Sequence, residues 1–327
     1  MNRRSISLLA LCLGLAAAAL GTSAEPAHAA LSCNFSITDA SFGSVDLTAN
    51  ATYDTTATFT ANCSGGSGNS VVRVCPNIGA GGGGSGTGDP RLMLSGGNQL
   101  SYNLYQDGSR TVVWGSYLWS FTSYTPPTID ITLDGSGNGS ANRTIYARIS
   151  AGQQALPPGS YSSIFGGGDT QIAYNSATAG TCAQIGTTNA TSAPFTAGAS
   201  YSATCTISAT TLDFGTTGVL AAAVNGTSTL TTTCSATTPY NVGLNGGNAG
   251  ASDPTQRKMS KAGEQVTYGL YRDSARNQAW GDTIGTNTAS ATGTGSGQTS
   301  TVYGRVPAQT TPSAGTYSDT IVATVTY

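Results

Sequence analysis

The sequence predicts an all-β protein made of two tandem copies of one sandwich or barrel domain. Three observations carry this. The stretch "LYQDGSRTVVWG", Leu104 to Gly115, returns as "LYRDSARNQAWG", Leu270 to Gly281, in the frame L-Y-x-D-x-x-R-x-x-x-W-G. Segments such as "TATFTANC", "STLTTTC", "TVYGRV" and "DTIVATVTY" alternate in polarity and are rich in Thr, Val and Tyr, as half-buried strands are. After the N-terminal segment, no run has a clear helical period. Clusters of Gly, Asn and Pro such as "NGGNAGASDP" punctuate the chain at short intervals.

In chain order, the first element is not part of the fold. A short basic start, the apolar run "ISLLALCLGLAAAAL" and the A-x-A signal "AHA" at 27–29 read as a secretory signal peptide over 1–29, cut near Ala29 or Ala30. Its removal takes away Arg3, Arg4 and Glu25. That leaves 11 basic and 14 acidic side chains, a net charge of −3 with no basic stripe, so nucleic acid is not an expected partner. It also takes away His28, the sole histidine, and with it Ser-His-Asp, Cys-His and His-metal chemistry. The remaining acids sit mostly in turn contexts such as "LDGSGNG" and "SDP", where Asp bonds its own backbone. No catalytic residue, cofactor or metal site is expected, and the chain does not read as an enzyme.

The blocks around the opening motif repeat in order. Cys33 and Cys63 stand 30 residues apart; Cys205 and Cys234 stand 29 apart. Phe42-Gly43 matches Phe214-Gly215, and "RTIYARISAGQQALPPGSYSS" at 143–163 matches "STVYGRVPAQTTPSAGTYSDT" at 300–320. This is a duplicated domain. The expected units are 30–185 and 201–327, with a Gly/Ala/Thr/Ser-rich linker at 186–200. Loss of Cys12 with the signal leaves six cysteines in an exported chain, which points to disulfides. The repeat favours Cys33–Cys63 and Cys205–Cys234, leaving Cys75–Cys182 as a bridge of the first copy. In the motif itself, Leu-Tyr reads as a strand. Asp107 with Arg110, and Asp273 with Arg276, flank a tight connection where they can pair or bond the turn backbone. The Trp returns on the next strand to fill the core.

At this point the residues resemble a known family. The opening Cys with its following F-G, the second Cys with P-Y soon after, "YGLYRDSARNQAWGD", "TVYGRVPAQ" and "GTYSDTIVATVTY" make 205–327 similar to a spore coat protein U domain. The first copy keeps the frame but adds "GAGGGGSGTG", a longer stretch after its Trp, and "FGGG". The Gly run has no G-K-[ST] and is no phosphate loop. The family resembles the pilins of archaic chaperone–usher pili. The resemblance therefore implies two immunoglobulin-like β-sandwiches, the C-terminal one lacking its last strand. It implies a periplasmic pilus chaperone, an outer-membrane usher and the N-terminal donor strand of the next pilin subunit as partners, by β-strand addition. Two-domain members are similar to tip adhesins, which implies export through the periplasm to the pilus tip. Expected cleavage leaves too few residues before Cys33 to donate a strand, which agrees with a tip position.

Two sites follow. The acceptor edge is expected on the final segment, where Ile321, Ala323, Val325 and Tyr327 share one face. The adhesive surface, toward an abiotic or host surface, is expected at "SYLWSFTSYTPPTI": Tyr117, Leu118, Trp119, Phe121 and Tyr124, joined by Ile164 and Phe165. The second copy has "DTIGTNTASATGTGSG" there instead. The competing reading of the aromatic stretch is a hairpin packed on its own domain. The competing functions are a spore-coat or other surface-layer protein, and an exported carbohydrate-binding protein or enzyme.

Overall fold

The computed structural model describes residues 30–85, 90–118 and 124–327. The expected signal peptide, with Cys12 and His28, lies outside the described residues, as do part of the Gly-rich run and both Trp119 and Phe121. The first copy forms β1 (Ser32–Ile37), β2 (Ala40–Val45), β3 (Tyr53–Ser64), β4 (Val71–Pro76), β5 (Arg91–Ser95) and β6 (Asn98–Tyr105). It continues with β7 (Ile129–Thr132), β8 (Gly139–Ile149), β9 (Gly159–Phe165), β10 (Gln171–Ser176), β11 (Thr191–Ser192) and β12 (Phe195–Tyr201). The second copy forms β13 (Cys205–Ala209), β14 (Val224–Cys234), β15 (Pro239–Leu244), β16 (Arg257–Lys261), β17 (Glu264–Tyr271), β18 (Ala289–Thr292), β19 (Gly297–Val306) and β20 (Ala323–Thr326).

Each copy is a sandwich. In the first, a sheet ordered β1-β3-β8-β6-β5-β9-β12-β2 packs on β11-β10-β4-β7. In the second, β13-β14-β19-β17-β16 packs on β18-β15-β20. The two-residue alternation decides which side chains enter. On β3, Ala57, Phe59, Ala61 and Cys63 are buried, while on the other face Thr60 is partly exposed and Thr56, Thr58 and Asn62 are exposed. On β14, Leu230, Thr232 and Cys234 take the matching places. Cys33 lies directly opposite Cys63, and Cys205 directly opposite Cys234, and each pair is bridged. Cys75 on β4 is bridged to Cys182, at the start of a short helix, Cys182–Ile185.

The repeated motif is architectural. Asp107 accepts backbone N–H bonds from Thr111 and Val112; Asp273 accepts them from Asn277 and Gln278. These bonds hold both carboxyls below the usual carboxylate range, the backbone N–H of Val112 or Gln278 being the main cause. Asp and Arg thus bond the turn rather than each other. Arg110 and Arg276 occupy the left-handed region at φ 58° and 59°. There they reach the backbone carbonyls of Ala147 and Gly304 and lie over the rings of Tyr146 and Tyr303. Trp114 and Trp280 are buried, and their indole N–H groups donate to Pro76 and Val242 carbonyls, both at 2.8 Å. The G-x-Y block has a reason too. Tyr161 donates its hydroxyl to the Pro157 carbonyl and Tyr317 to that of Ser313, four residues back in each case.

One expectation fails here. The segment 186–200 is not a linker: it contains β11 and most of β12. β12 lies between β9, to which it runs antiparallel, and β2, to which it runs parallel. It buries Phe195, Ala197, Ala199 and Tyr201 in the first domain's core. The alternation F-x-A-x-A-x-Y is present in the sequence, but it is diluted by Gly, Ser and Thr and reads as linker composition. The first domain therefore closes its own sandwich with the strand that follows its disulfide-bonded helix.

Candidate functional site

The second domain repeats the frame around that closing strand without the strand. The counterpart of β2 is 212–217, and the counterpart of β9 is 315–321. Neither forms a strand; Ser318 makes only a single antiparallel bridge to Ser260. Between them lies a groove of about 460 Å³, lined by Leu212, Phe214, Leu230, Tyr268, Val302 and Ile321 among others. A second hollow of about 640 Å³ continues past Val224, Val266 and Val306. Such an apolar groove, flanked by two extended backbones without ladder partners, is suited to an added strand.

Two carboxylates line the groove, Asp213, which accepts from the Gly215 N–H, and Asp319. Asp319 accepts a hydrogen bond from the Tyr268 hydroxyl at 2.6 Å and one from the Asn248 backbone N–H at 2.8 Å. Burial, then this carboxylate, pushes the Tyr268 hydroxyl well above its ordinary value. Deeper in, Arg257 is fully buried and donates to the carbonyls of Asn245, Pro254, Leu244 and Trp280.

The acceptor edge is displaced from the sequence expectation. Ile321 and Ala323 do line the groove. Val325 is on β20, which pairs with β15 in the opposite sheet, and Tyr327 is 58% exposed after it. The chain changes sheets at Val322, where Asn245 ties the crossing by accepting from the Val322 N–H and donating its own N–H to the Val322 carbonyl. Only the part before this crossing, 315–321, forms the groove edge. Alternation alone does not reveal the crossing, because the inward period continues through it.

At the far end of the first domain, its three departures from the repeat come together. The Ile78 N–H donates to the Gly115 carbonyl, and the Tyr117 N–H to the Asn77 side chain. Gly79 and Gly81 donate their N–H groups to Asp169, and Gly82 donates to the Ile164 carbonyl. Glycine is required at 81 and 83. Gly81 has φ +79°, and a Cβ on Gly83 would sit 1.8 Å from the Leu92 carbonyl oxygen. β12 starts at this end, beside Phe165, and ends beside Gly159, from where the chain passes to the second domain. At roughly 3.3 Å per residue, the loop cluster lies about 20 Å from that exit.

The residues expected in the adhesive patch separate. Ile164 is 67% and Tyr117 40% exposed, whereas Leu118 and Tyr124 are half-buried. Phe165 does not belong to the surface: it is fully buried, stacked on Phe195 with ring centroids 4.3 Å apart. It alternates inward with Tyr161 and Ser163, so its neighbour Ile164 must point out. Trp119 and Phe121 lie outside the described residues.

Sequence reading missed the buried arginines. Arg91 repeats three of Arg257's four contacts, donating to the carbonyls of Gly79, Ile78 and Trp114, and donates to the Asn103 side chain where Arg257 donates to the Pro254 carbonyl. Desolvation lowers it to about 10, which leaves it charged at neutral pH. The available signal was R-x-M at the motif's own 166-residue offset, Arg91-Met93 and Arg257-Met259. Among the described residues, no group of three or more His, Cys, Asp or Glu side chains could hold a metal ion.

Comparison with known proteins agrees with this architecture. Protein U of Myxococcus xanthus is 40% identical over 78 residues, 24% of this chain; the match spans 43% of that protein's length. Among solved structures, the chain is similar to one in the CsuC–CsuE chaperone–tip adhesion subunit pre-assembly complex from the archaic chaperone–usher Csu pili of Acinetobacter baumannii. The TM-score is 0.51 at 16% identity, covering 90% of this chain and all of that one, which is a likeness of fold. A weaker likeness, with a TM-score of 0.39 at 11% identity, links it to the CupB6 tip adhesin of Pseudomonas aeruginosa, over 91% of this chain and 94% of that one. The model of the Spore Coat Protein U domain matches twice, at 18–166 and 191–324, the second match beginning at β11, and the chain belongs to that family.

Proposed function

We propose that this chain is the adhesive subunit at the tip of an archaic chaperone–usher pilus, non-enzymatic and exported through the periplasm. One observation carries the reading: two copies of one frame, the first closed by its own β12 and the second open along 212–217 and 315–321. A periplasmic chaperone covers the groove before assembly at the outer-membrane usher. The donor strand of the next subunit then replaces it. The closed domain carries the loop cluster at the end away from its link, where Tyr117 and Ile164 are exposed. This cluster faces the surface to be attached to, and biofilm formation follows from it. Exposed apolar groups gathered at one pole mark contact sites.

The test is co-expression of the mature chain with the chaperone of its own system. A 1:1 complex is expected, and aggregation of the chain expressed alone. A soluble monomer whose 315–321 amides resist hydrogen exchange without a partner would overturn the reading. The similarity to Protein U favours a second reading, a spore-coat or surface-layer protein, which needs neither chaperone nor usher and would give that outcome. Attachment is tested separately. Ile164→Ser, and Leu118, Trp119 and Phe121 replaced together by Thr or Ser, should abolish binding to a hydrophobic surface while the melting temperature holds. Unchanged attachment by folded variants would place the adhesive site elsewhere.

A further inference from the structure

The first domain is a filled copy of the second domain's groove, and the walls of the two can be compared position by position. On β12, the inward residues are Phe195, Ala197, Ala199 and Tyr201. Ala197 lies opposite Ser163 on β9 and Ala40 on β2. By the repeat, Ser163 corresponds to Asp319 and Ala40 to Leu212. Both walls are bulkier in the second domain at this one level. Phe195 lies opposite Phe165, whose counterpart is the smaller Ile321, and the buried Phe59 of β3 is replaced by Leu230. The open groove is thus narrower in its middle and wider at its inner end than the filled one.

The narrowing is not free to relax. Asp319 is held on both carboxylate oxygens, by the Tyr268 hydroxyl and the Asn248 N–H, and its carboxylate abuts Gly247, where a Cβ would come within 2.0 Å of Oδ2. Its negative charge stands near the buried Arg257. A bulky side chain pushed in beside it would have to displace a bonded carboxylate, and an acidic one would meet a like charge.

We propose that Asp319 and Leu212 form a size-and-charge gate on the strand that enters this groove. The strand runs antiparallel to 315–321 with alternating inward residues. The residue opposite Asp319 is Gly or Ala, and the inward residue opposite Ile321 is a large apolar one. This rests on the strand-acceptor reading above and adds the side-chain pattern that the partner must carry.

The test uses the full mature chain refolded with synthetic peptides, with hydrogen exchange of 315–321 and peptide titration as readouts. The parent peptide is this protein's own 194–201 segment, PFTAGASY, and its variants carry Gly, Leu or Asp in place of Ala197, or Ala in place of Phe195. The parent and the Gly variant should protect 315–321. The Leu and Asp variants should bind at least about tenfold more weakly, the scale of an overpacked or like-charge contact. In Asp319→Ser, the Asp peptide should recover; in Leu212→Ala/Asp319→Ser, which restores the first domain's wall, the Leu peptide should recover as well. Should the double variant fail to refold, the Asp-peptide recovery in Asp319→Ser still decides. Equal binding of the Ala, Leu and Asp peptides to the unaltered chain, or no recovery in the variants, would overturn the gate while leaving the acceptor reading standing. No protection of 315–321 by any peptide would overturn the acceptor reading, and the gate with it.

Discussion

The two sandwiches share a cross-strand disulfide, a buried arginine, a buried tryptophan and a turn-capping aspartate, yet they differ in state. In the first, β12 lies between β9 and β2, and all three are strands. In the second, the segments matching β9 and β2 hold no ladder, and the groove between them stays open. The difference lies in the neighbour rather than in the segments. Phe42 and Phe214 hold the same place in the repeat and make the same edge-on contacts, with Tyr102 at 6.3 Å and with Tyr268 at 6.0 Å. Phe42 lies in a strand and Phe214 does not. A ladder needs two backbones, so strand character here is conferred by the partner.

The largest test of this comparison is to open the first domain. Replacing Pro194–Tyr201 with Gly and Ser of equal length removes the two buried aromatic side chains that anchor β12, and release of the unanchored strand then breaks the hydrogen bonds on both its edges. At about 1.5–3 kcal/mol per large apolar side chain and about 0.5–1.5 per hydrogen bond, the loss exceeds roughly 5 kcal/mol and consumes a typical domain's stability. Calorimetry should then lose the first domain's transition. The 159–165 amides should exchange as fast as those of 315–321. Survival of that transition would show that β12 is not what closes the domain.

A smaller effect separates frame from groove. Arg91→Met and Arg257→Met each leave several buried carbonyls without their donor, and each should destabilise its own domain by about 3–5 kcal/mol. Because Arg257 stands behind Tyr268 and Asp319, only its variant should also weaken strand binding in the second domain. An equal loss of strand binding in Arg91→Met would mean that the two sandwiches are coupled.

The smallest effect concerns the bridge that only the first domain has. Cys75–Cys182 spans 107 residues and anchors the short helix that precedes β12. Cys75→Ala/Cys182→Ala should lower the first domain's stability by about 2–4 kcal/mol and leave the second transition in place. It should also raise exchange along β12, whose approach the helix directs. A shift of the second domain's transition would break the assignment.

Much of this was legible in the residues. The fold class and the duplication follow from alternation and from blocks that recur in order, since side-chain period and turn chemistry are local properties. Cys33–Cys63 and Cys205–Cys234 followed from the repeat, because equivalent cysteines in equivalent frames meet equivalent partners, and Cys75–Cys182 was the pair that remained. The role of Asp107 and Asp273 was within reach, since the groups they bond lie only four and five residues ahead.

Contacts across sequence were not legible. The weakly apolar 195–201 segment becomes a strand only because β9 and β2 each offer it an unpaired edge. The acceptor edge stops at Val322 because Asn245, far back in the chain, ties the crossing between sheets there. Phe165 turns inward and Ile164 outward because β9 packs on the core with one face only. Local sequence determined which segments can be strands and how they repeat. Tertiary structure alone decided which of them find a partner, because a β-ladder forms between segments whose separation in the chain says nothing of their separation in space.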